Sequence, residues 1–194
     1  MLKLRVVQKI IQIGNPKLAQ DSVEVPIAEI GSVENLQLYQ DLVDTCDKEK
    51  EGTAGLSAVQ IGVLKRVYVA RRLDLEAERD DNIAVWQVMI NPDMKTLGAK
   101  ESTIWEGCMS VGEGKARLFG PVTRSDRVKV TYFDEHTTQH TKEFKGYMAH
   151  IIQHEQDHLD GKLFLKYIVD VTKLWTSEKL DHYLETHDHF PPSE

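Results

Sequence analysis

The sequence predicts an α+β fold in which small mixed or antiparallel sheets pack around a central helix. Strand-like segments lie mostly before the main helix, and they do not alternate with helices as they do in a doubly wound sheet. A chain of 194 residues, 41% hydrophobic and 28% charged, is large enough for one domain with a sizeable core. We assign residues 1–168 to this domain and residues 169–194 to a carboxyl-terminal helix and a frayed tail.

One helix is predicted in the first part of the chain. Apolar residues recur mostly at three and four positions over residues 33–51, and Gly52 ends the pattern. The Gly14-Asn15-Pro16 sequence that precedes this helix is a turn signal.

Strand patterns occur in four segments, at residues 66–70, 84–90, 127–134 and 141–144. Asn91-Pro92 is expected to end the second strand, and the charged residues 74–82 are expected to form an exposed loop before it. The last two strands should form a hairpin around the polar residues 135–140.

Two helices follow the strands. Gly146 and Gly161 bound the main helix, which carries the motif described below. An amphipathic pattern over about 171–186 predicts the last helix.

The charge and the apolar pattern exclude several classes of protein. A net charge of −7 gives no overall basic field for nucleic acid or anionic lipid, so we expect neither nucleic-acid nor membrane binding. No apolar run is long enough to span a bilayer, and the amino terminus lacks a signal-peptide core. We therefore expect a cytoplasmic protein, in which Cys46 and Cys108 do not form a disulfide framework.

The segment Ile152 to Gly161 contains the most informative motif. His154 and His158 are four residues apart, a spacing that places both imidazoles on one face of a helix, where they can bind one metal ion. Glu155 lies beside them and can accept the proton of a water molecule at the ion. The motif predicts a hydrolase site and requires a third ligand.

Cys108 is the candidate third ligand. It lies in the sequence Glu106-Gly107-Cys108-Met109-Ser110, where the glycine lets the backbone approach another element closely. One thiolate and two imidazoles leave a fourth position for water, which is the catalytic arrangement, and by ligand chemistry alone they suggest zinc. Cys46 lies on an apolar helix face and is interpreted as a buried hydrophobic residue.

A third segment, Gly52 to Gly62, has features of a substrate-binding strand. Small residues around Gly55 allow an extended substrate backbone to come close. The side-chain amide of Gln60 can donate a hydrogen bond to a developing oxyanion.

Together these three segments resemble the peptide deformylases. That family carries a Gly-hydrophobic-Gly-hydrophobic-Ala-Ala-x-Gln segment, a Glu-Gly-Cys-hydrophobic-Ser segment and a Gln-His-Glu-x-Asp-His segment, in this order. The corresponding residues are 53–60, 106–110 and 153–158, and the resemblance spans about residues 10–167.

The chain departs from the family pattern at three positions within these segments. Thr53 replaces the first glycine, Ser57 replaces the first of two alanines, and Gln156 occupies a usually apolar position. None of these changes replaces a presumed ligand, Glu155 or Gln60.

The resemblance implies hydrolysis of the formyl group from the N-formylmethionine of newly made polypeptides in a bacterial cytoplasm, with release of formate. It implies that Cys108, His154 and His158 hold the metal, typically Fe²⁺, for which Zn²⁺, Ni²⁺ or Co²⁺ can substitute. Glu155 would take a proton from water and return it to the departing amine.

Further roles follow from the same resemblance. The Gln60 amide and the backbone N–H of Met109 would stabilise the tetrahedral oxyanion. The substrate-binding positions are Gly55, Leu56, Glu106 and Gly107.

Two other functions fit the histidine motif. A metallopeptidase would draw its third ligand from further along the chain, for which Asp160 or His182 could serve. A non-catalytic, metal-stabilised interaction domain would close the fourth metal position. Cys108, within its own motif, argues against the first alternative.

The carboxyl-terminal segment is acidic, although some deformylases use a basic terminal helix to bind the ribosome. Residues 169–194 contain two lysines against six acidic residues. We therefore expect no ribosome-docking helix here, only transient proximity to the ribosome.

Overall fold

The structure is a computed structural model that describes residues 7–48, 53–76 and 84–193. These residues form four α-helices and eight strands, in the order α1 (Val33–Lys48), β1 (Gly55–Ser57), β2 (Val67–Arg71), α2 (Leu73–Glu76), β3 (Trp86–Thr96), β4 (Glu101–Gly107), β5 (Leu118–Ser125), β6 (Arg127–Phe133), β7 (Gln139–Lys145), α3 (Tyr147–Leu159), β8 (Trp175–Thr176) and α4 (Ser177–Leu184). Six short 3-10 turns connect them.

The strands form two antiparallel sheets. The larger has the order β1-β2-β3-β6-β7, and the smaller has the order β4-β5-β8. Helix α3 contacts β1, β2, β6 and β7 of the larger sheet and β5 of the smaller sheet. The predicted α+β class, with antiparallel sheets around a central helix, is therefore confirmed.

Helix α3 is buried on almost every side. Gly146 precedes it with φ +56°, and Gly161 follows it with φ +62°, a conformation that favours glycine. Its apolar residues Ile152 and Leu159 pack in a core cluster with side chains from β2 and β6. Because the helix has little solvent-exposed surface, its many polar side chains need partners within the protein. Helix α3 is therefore the centre of a polar network.

The predicted end of the second strand at Asn91-Pro92 is wrong. Strand β3 continues to Thr96, with a shift in register against β6 between Ile90 and Asp93. Asn91 adopts φ +50°, and its side chain bonds both backbone groups of Val25, at 2.8 and 2.7 Å. At such a bulge the missing N–H of proline does not interrupt the ladder, so the strand resumes beyond it.

The predicted helix over 171–186 is also corrected. Only Ser177–Leu184 is α-helical, and Trp175–Thr176 is instead strand β8, paired with Leu118 and Phe119 of β5. The Thr176 hydroxyl accepts a hydrogen bond from the Lys179 N–H and so caps α4. Strand pairing with β5 therefore determines the structure of these two residues, although the local sequence has a helical pattern.

Other predicted boundaries are close to those observed. Helix α1 and the β6–β7 hairpin lie where the patterns place them, whereas the predicted helix end at Gly52 lies outside the described residues. The expected loop over 74–82 begins inside α2, and its remainder from residue 77 is likewise outside them. Strands β4 and β5 were not predicted. Within the described ranges, no helix has the length and apolar character that a membrane span requires.

Candidate active site

Three side chains of metal-ligating type converge between the two sheets. Cys108 follows the end of β4, and His154 and His158 lie one turn apart on α3. Their ligand atoms lie within 4.8 Å of one another, and Cys108 Sγ is 3.3 Å from His158 Nε2. Within the part of the chain that the structure describes, no other group of three such residues meets this geometry. The fold thus brings together residues that lie about 50 positions apart in sequence.

The chemistry of these donors fits a resident metal ion. His154 Nδ1 lies 2.9 Å from Glu106 Oε2, so a proton on Nδ1 leaves Nε2 free to bind an ion. His158 Nδ1 is buried and has no hydrogen-bond partner among the described residues. Burial holds the pKa of His158 well below its usual value, which keeps this imidazole neutral, as a ligand must be.

His154 is held differently from His158. Burial alone would lower the pKa of His154, but hydrogen bonds to Cys108 and Glu106 raise it well above its ordinary value. The raised pKa favours the protonated imidazole of His154, and a metal ion would have to displace that proton in order to bind.

A buried carboxylate, Glu106, organises the side of the cluster away from β1. Arg124 forms a two-pronged bond to it, with Nε 2.6 Å from Oε1 and Nη2 3.0 Å from Oε2. Arg124 also donates to Asp157, at 2.7 Å, and His150 Nδ1 lies 3.3 Å from Glu106 Oε1. Burial would raise the pKa of Glu106, but the bonds from His150, His154 and Arg124 hold it well below its usual range. Glu106 is therefore an anion that orients His154.

Two members of this network were missed by sequence reasoning. His150 precedes His154 by four residues, and the same spacing that identified the histidine pair could have placed it on the ligand face. Arg124 carries no such signal, because its partners Glu106 and Asp157 come from two other elements.

Glu155 lies against β1. The Ser57 hydroxyl donates to its Oε2 at 2.6 Å. Burial raises the pKa of Glu155 to about 7, against the lowering effects of His154 and of the Ser57 hydroxyl. A Cβ on Gly55 would lie only 2.5 Å from Glu155 Oε1, so this position requires glycine. Ser57, a departure from the family pattern, thus bonds the candidate proton carrier directly.

Two further hydrogen-bond donors, the side-chain amide of Gln60 and the backbone N–H of Met109, belong to residues near the cluster. The side-chain oxygen of Gln60, Oε1, accepts a hydrogen bond from the Ser57 N–H at 2.9 Å. This bond turns the side-chain nitrogen, Nε2, towards Ser110 Oγ at 3.2 Å and Cys108 Sγ at 3.5 Å. The backbone N–H of Met109 donates no hydrogen bond within the described residues. Both residues line the cavity described next. The Met109 N–H is available to a bound molecule, whereas the Gln60 amide would have to exchange a contact with Ser110 or Cys108 for one with that molecule.

A cavity of about 260 Å³ opens onto these groups. Its lining comprises Thr53, Ala54, Gly55, Gln60, Trp105, Glu106, Gly107, Cys108, Met109, Arg117, Phe119, Tyr147, His150, Ile151, His154, Glu155 and Phe190. Of the predicted site residues, Leu56 and His158 are absent from this lining. The Leu56 side chain is fully buried in the core beside β2.

Among the described residues, the outer edge of strand β1 has no paired strand, and it lies beside the cavity. Strand β1 is the outermost strand of the larger sheet, and the Ala54 carbonyl accepts from the Arg71 N–H on its paired side, at 2.8 Å. Because successive residues of a strand direct their backbone groups to opposite sides, Leu56 pairs with Val69 and Gly55 directs its N–H and C=O outward. Gly55 is therefore the residue of β1 that can bond another extended chain.

The ligands considered for a metallopeptidase lie elsewhere. Asp160 follows α3 and pairs with Arg66 at 3.0 Å. His182 is exposed on α4. Neither belongs to the cluster.

Comparisons with known proteins agree on one family. The family model described as polypeptide deformylase matches residues 7–174. A protein named peptide deformylase from Leptospira biflexa is 34% identical over 176 residues, covering 90% of this chain and 95% of its own length. One named peptide deformylase 2 from Xanthomonas campestris is 35% identical over 171 residues, covering 88% and 92%. A Met-Ala-Ser-bound class I type b peptide deformylase from Acinetobacter baumannii has a TM-score of 0.73 and 28% identity, covering 85% of this chain and 100% of its own.

Proposed function

The chain belongs to the peptide deformylase family, and on that premise we propose how its residues hydrolyse the formyl group of N-formylmethionyl peptides. Enzymes of this family are metal-dependent hydrolases that act on the formylated amino-terminal methionine. The roles of individual residues, the identity of the metal and a setting in the bacterial cytoplasm form the proposal.

We assign metal binding to Cys108, His154 and His158, with Fe²⁺ as the resident ion and Zn²⁺, Ni²⁺ or Co²⁺ as substitutes. The convergence of one thiolate and two imidazoles supports this assignment. When bound, the ion acts as a Lewis acid that lowers the pKa of water and polarises the formyl oxygen. Glu106 holds His154 in the ligating orientation and is itself held by Arg124. Its predicted role in substrate binding is therefore reassigned to positioning a ligand.

Glu155 carries the proton. Its carboxylate faces the cavity next to the cluster, and a pKa of about 7 suits a group that must both accept and return a proton near neutral pH. It takes the proton of the attacking water and delivers it to the methionine nitrogen as the C–N bond breaks. The Ser57 hydroxyl keeps the carboxylate in place between these two steps.

Gln60 and Met109 bind the developing oxyanion. The Ser57 N–H fixes the orientation of the Gln60 side chain, whose amide donates to the oxyanion in place of Ser110 or Cys108. The Met109 N–H is free to donate. The substrate backbone lies along β1 and bonds the outward groups of Gly55. Gly107 packs its Cα against the Phe119 ring, and a Cβ there would collide with that ring. Leu56 supports β1 from the core and has no direct contact with substrate in this proposal.

The observation that carries this proposal is the meeting of Cys108 with the two histidines of α3 beside Glu155. It is tested with a matched pair of variants, Cys108→Ser and Cys46→Ser, because both cysteines are buried and only one is in the cluster. A serine hydroxyl stays protonated near neutral pH and is a poor metal ligand. Cys108→Ser should therefore lose bound metal and formate release together, whereas Cys46→Ser should retain both with only a change in stability.

The measurements are metal content by elemental analysis and formate release from a formyl-Met-Ala-Ser peptide, with an unformylated internal peptide bond as a negative substrate. Equal metal content in the two variants would show that Cys108 is not a ligand. Cleavage of the internal peptide bond would favour the metallopeptidase alternative.

A further inference from the structure

We propose that Phe190, in the segment that follows α4, forms one wall of the substrate cavity and selects an apolar side chain in the part of the peptide that follows formylmethionine. This inference rests on the proposed function and adds a specificity determinant to it. It concerns residues beyond the matched family region, which ends at residue 174.

The segment around Phe190 is attached to the mouth of the cavity. The indole N–H of Trp105 on β4 donates to the Pro191 carbonyl at 2.8 Å in a buried hydrogen bond, and Pro191 is itself buried. The Lys173 ammonium donates to the Ser193 carbonyl at 3.0 Å. These two bonds lie on either side of Pro192 and fix the path of the chain immediately after Phe190.

Aromatic contacts extend this attachment to α4. The rings of Trp105 and Trp175 meet edge to face with centroids 5.3 Å apart, and Trp175 meets Tyr183 in the same way at 5.5 Å. Tyr183 stacks on His187 at 4.0 Å. The chain that leads to Phe190 is therefore supported by a continuous row of rings that starts at the cavity lining.

Phe190 lines the cavity and is nevertheless 53% exposed. A phenyl ring in that position has one face on the cavity and lacks the cover that a core residue receives. An apolar side chain of a bound peptide would cover this face and remove both surfaces from water, which is favourable.

The exposure of Phe190 indicates which part of the substrate it contacts. Phe190 is half-exposed, whereas Cys108 and Glu155, which line the same cavity, are buried, so Phe190 lies at the solvent end of the cavity. The formyl carbon must lie at the metal ligands. An extended peptide then leads outwards to solvent at about 3.3 Å per residue, so the side chains that reach Phe190 are those that follow formylmethionine.

Three full-length variants test this inference. Phe190→Ala removes the wall, Trp105→Phe keeps the ring but removes the donor to Pro191, and Val171→Ala is a control that truncates an exposed apolar residue of the same segment outside the cavity. Formate release is measured with formyl-Met-Leu-Leu and formyl-Met-Ala-Ala peptides, and unfolding temperatures verify that each variant is folded.

For Phe190→Ala we expect a loss in kcat/KM of about tenfold on the leucine peptide, through KM, and less than about twofold on the alanine peptide. Trp105→Phe should lose about fivefold on the leucine peptide, and Val171→Ala should match the unmodified chain on both. Equal losses on the two peptides, no loss, or a gain in rate for Phe190→Ala would overturn the inference. Absence of formate release by the unmodified, metal-loaded chain would instead contradict the proposed function.

Discussion

Helix α3 and the segment after residue 168 differ in how their polar groups are satisfied. On α3, polar side chains are buried and bonded to fixed partners, as Glu155 is to Ser57 and Asp157 is to Arg124. On α4, only Leu180 is buried, and the charged side chains face solvent. A buried polar network holds each group in one orientation, because a lost partner leaves an uncompensated charge. The exposed charged side chains of α4 carry no such constraint, so these charges can vary without disturbing the reaction.

Because the polar groups of α3 are buried and fixed, we expect the largest loss of activity from a substitution on this helix, at Glu155. Glu155→Gln should bind metal normally, because Glu155 is not one of the three converging ligands, while kcat falls by about 10²–10⁴-fold through loss of the proton carrier. Formate release and metal content are measured on the same preparation. A metal-replete Glu155→Gln enzyme with a near-normal rate would contradict the assigned role.

The same variant should stabilise the metal-free protein at alkaline pH. On folding, the pKa of the Glu155 carboxyl rises from 4.5 to about 7. Its contribution to the stability of the folded state is therefore complete below pH 4.5 and is lost as the pH rises through about 7. Glutamine has no charge to bury, so at pH 8 it should raise the free energy of unfolding by on the order of 3 kcal/mol. Urea unfolding at pH 4 and pH 8 measures the difference. A gain of equal size at both pH values would show that burial of this charge is not the cause.

The contrast between the two regions also explains what the sequence could predict. The metal-ligand pair on α3 was predictable because His154 and His158 are related by the local geometry of one helix. The bonds from Arg124 to Glu106 and Asp157 were not, because they depend on how β5 is placed against β4 and α3. A local pattern contains no information about that placement.

The errors in secondary structure have the same origin. Trp175 and Thr176 fit a helical period, yet they pair with β5 and become β8. Asn91-Pro92 has the composition of a turn, but the bonds of Asn91 to Val25 convert it into a bulge within β3. In both places a tertiary contact outweighs a local preference.

Glu106 should give the next largest effect, although its side chain is not one of the proposed ligands. Glu106→Gln removes the anion that orients His154 and pairs with Arg124, so metal affinity should fall by about 10–100-fold. Glu101→Gln is the matched control, since Glu101 is an exposed carboxylate on the same strand. Competition with a chelator measures both affinities. Equal values for the two variants would show that Glu106 does not position the ligand.

The smallest effect is expected in the carboxyl-terminal segment, which we propose to treat as the unit 169–194. Its lysines are Lys173 and Lys179, and its net charge is −4. Both lysines are engaged within the protein: Lys173 binds the Ser193 carbonyl, and the Lys179 ammonium lies 3.8 Å from the centre of the Trp175 ring. Among its described residues the segment therefore has no free lysine or arginine with which to contact ribosomal RNA, and its acidic side chains would repel the phosphates.

We therefore expect the unmodified chain not to cosediment with ribosomes even at low salt. A variant with Asp181→Lys, Glu185→Lys and Asp188→Lys shifts the segment from −4 to about +2 and provides the matched comparison. These residues lie outside the cavity lining, so the variant should release formate from a free peptide at the normal rate while gaining salt-sensitive binding to ribosomes. If the unmodified chain binds ribosomes tightly and the three lysines do not strengthen this binding, contacts other than phosphate electrostatics must hold it there. The acidic charge of the segment would then not exclude ribosome docking.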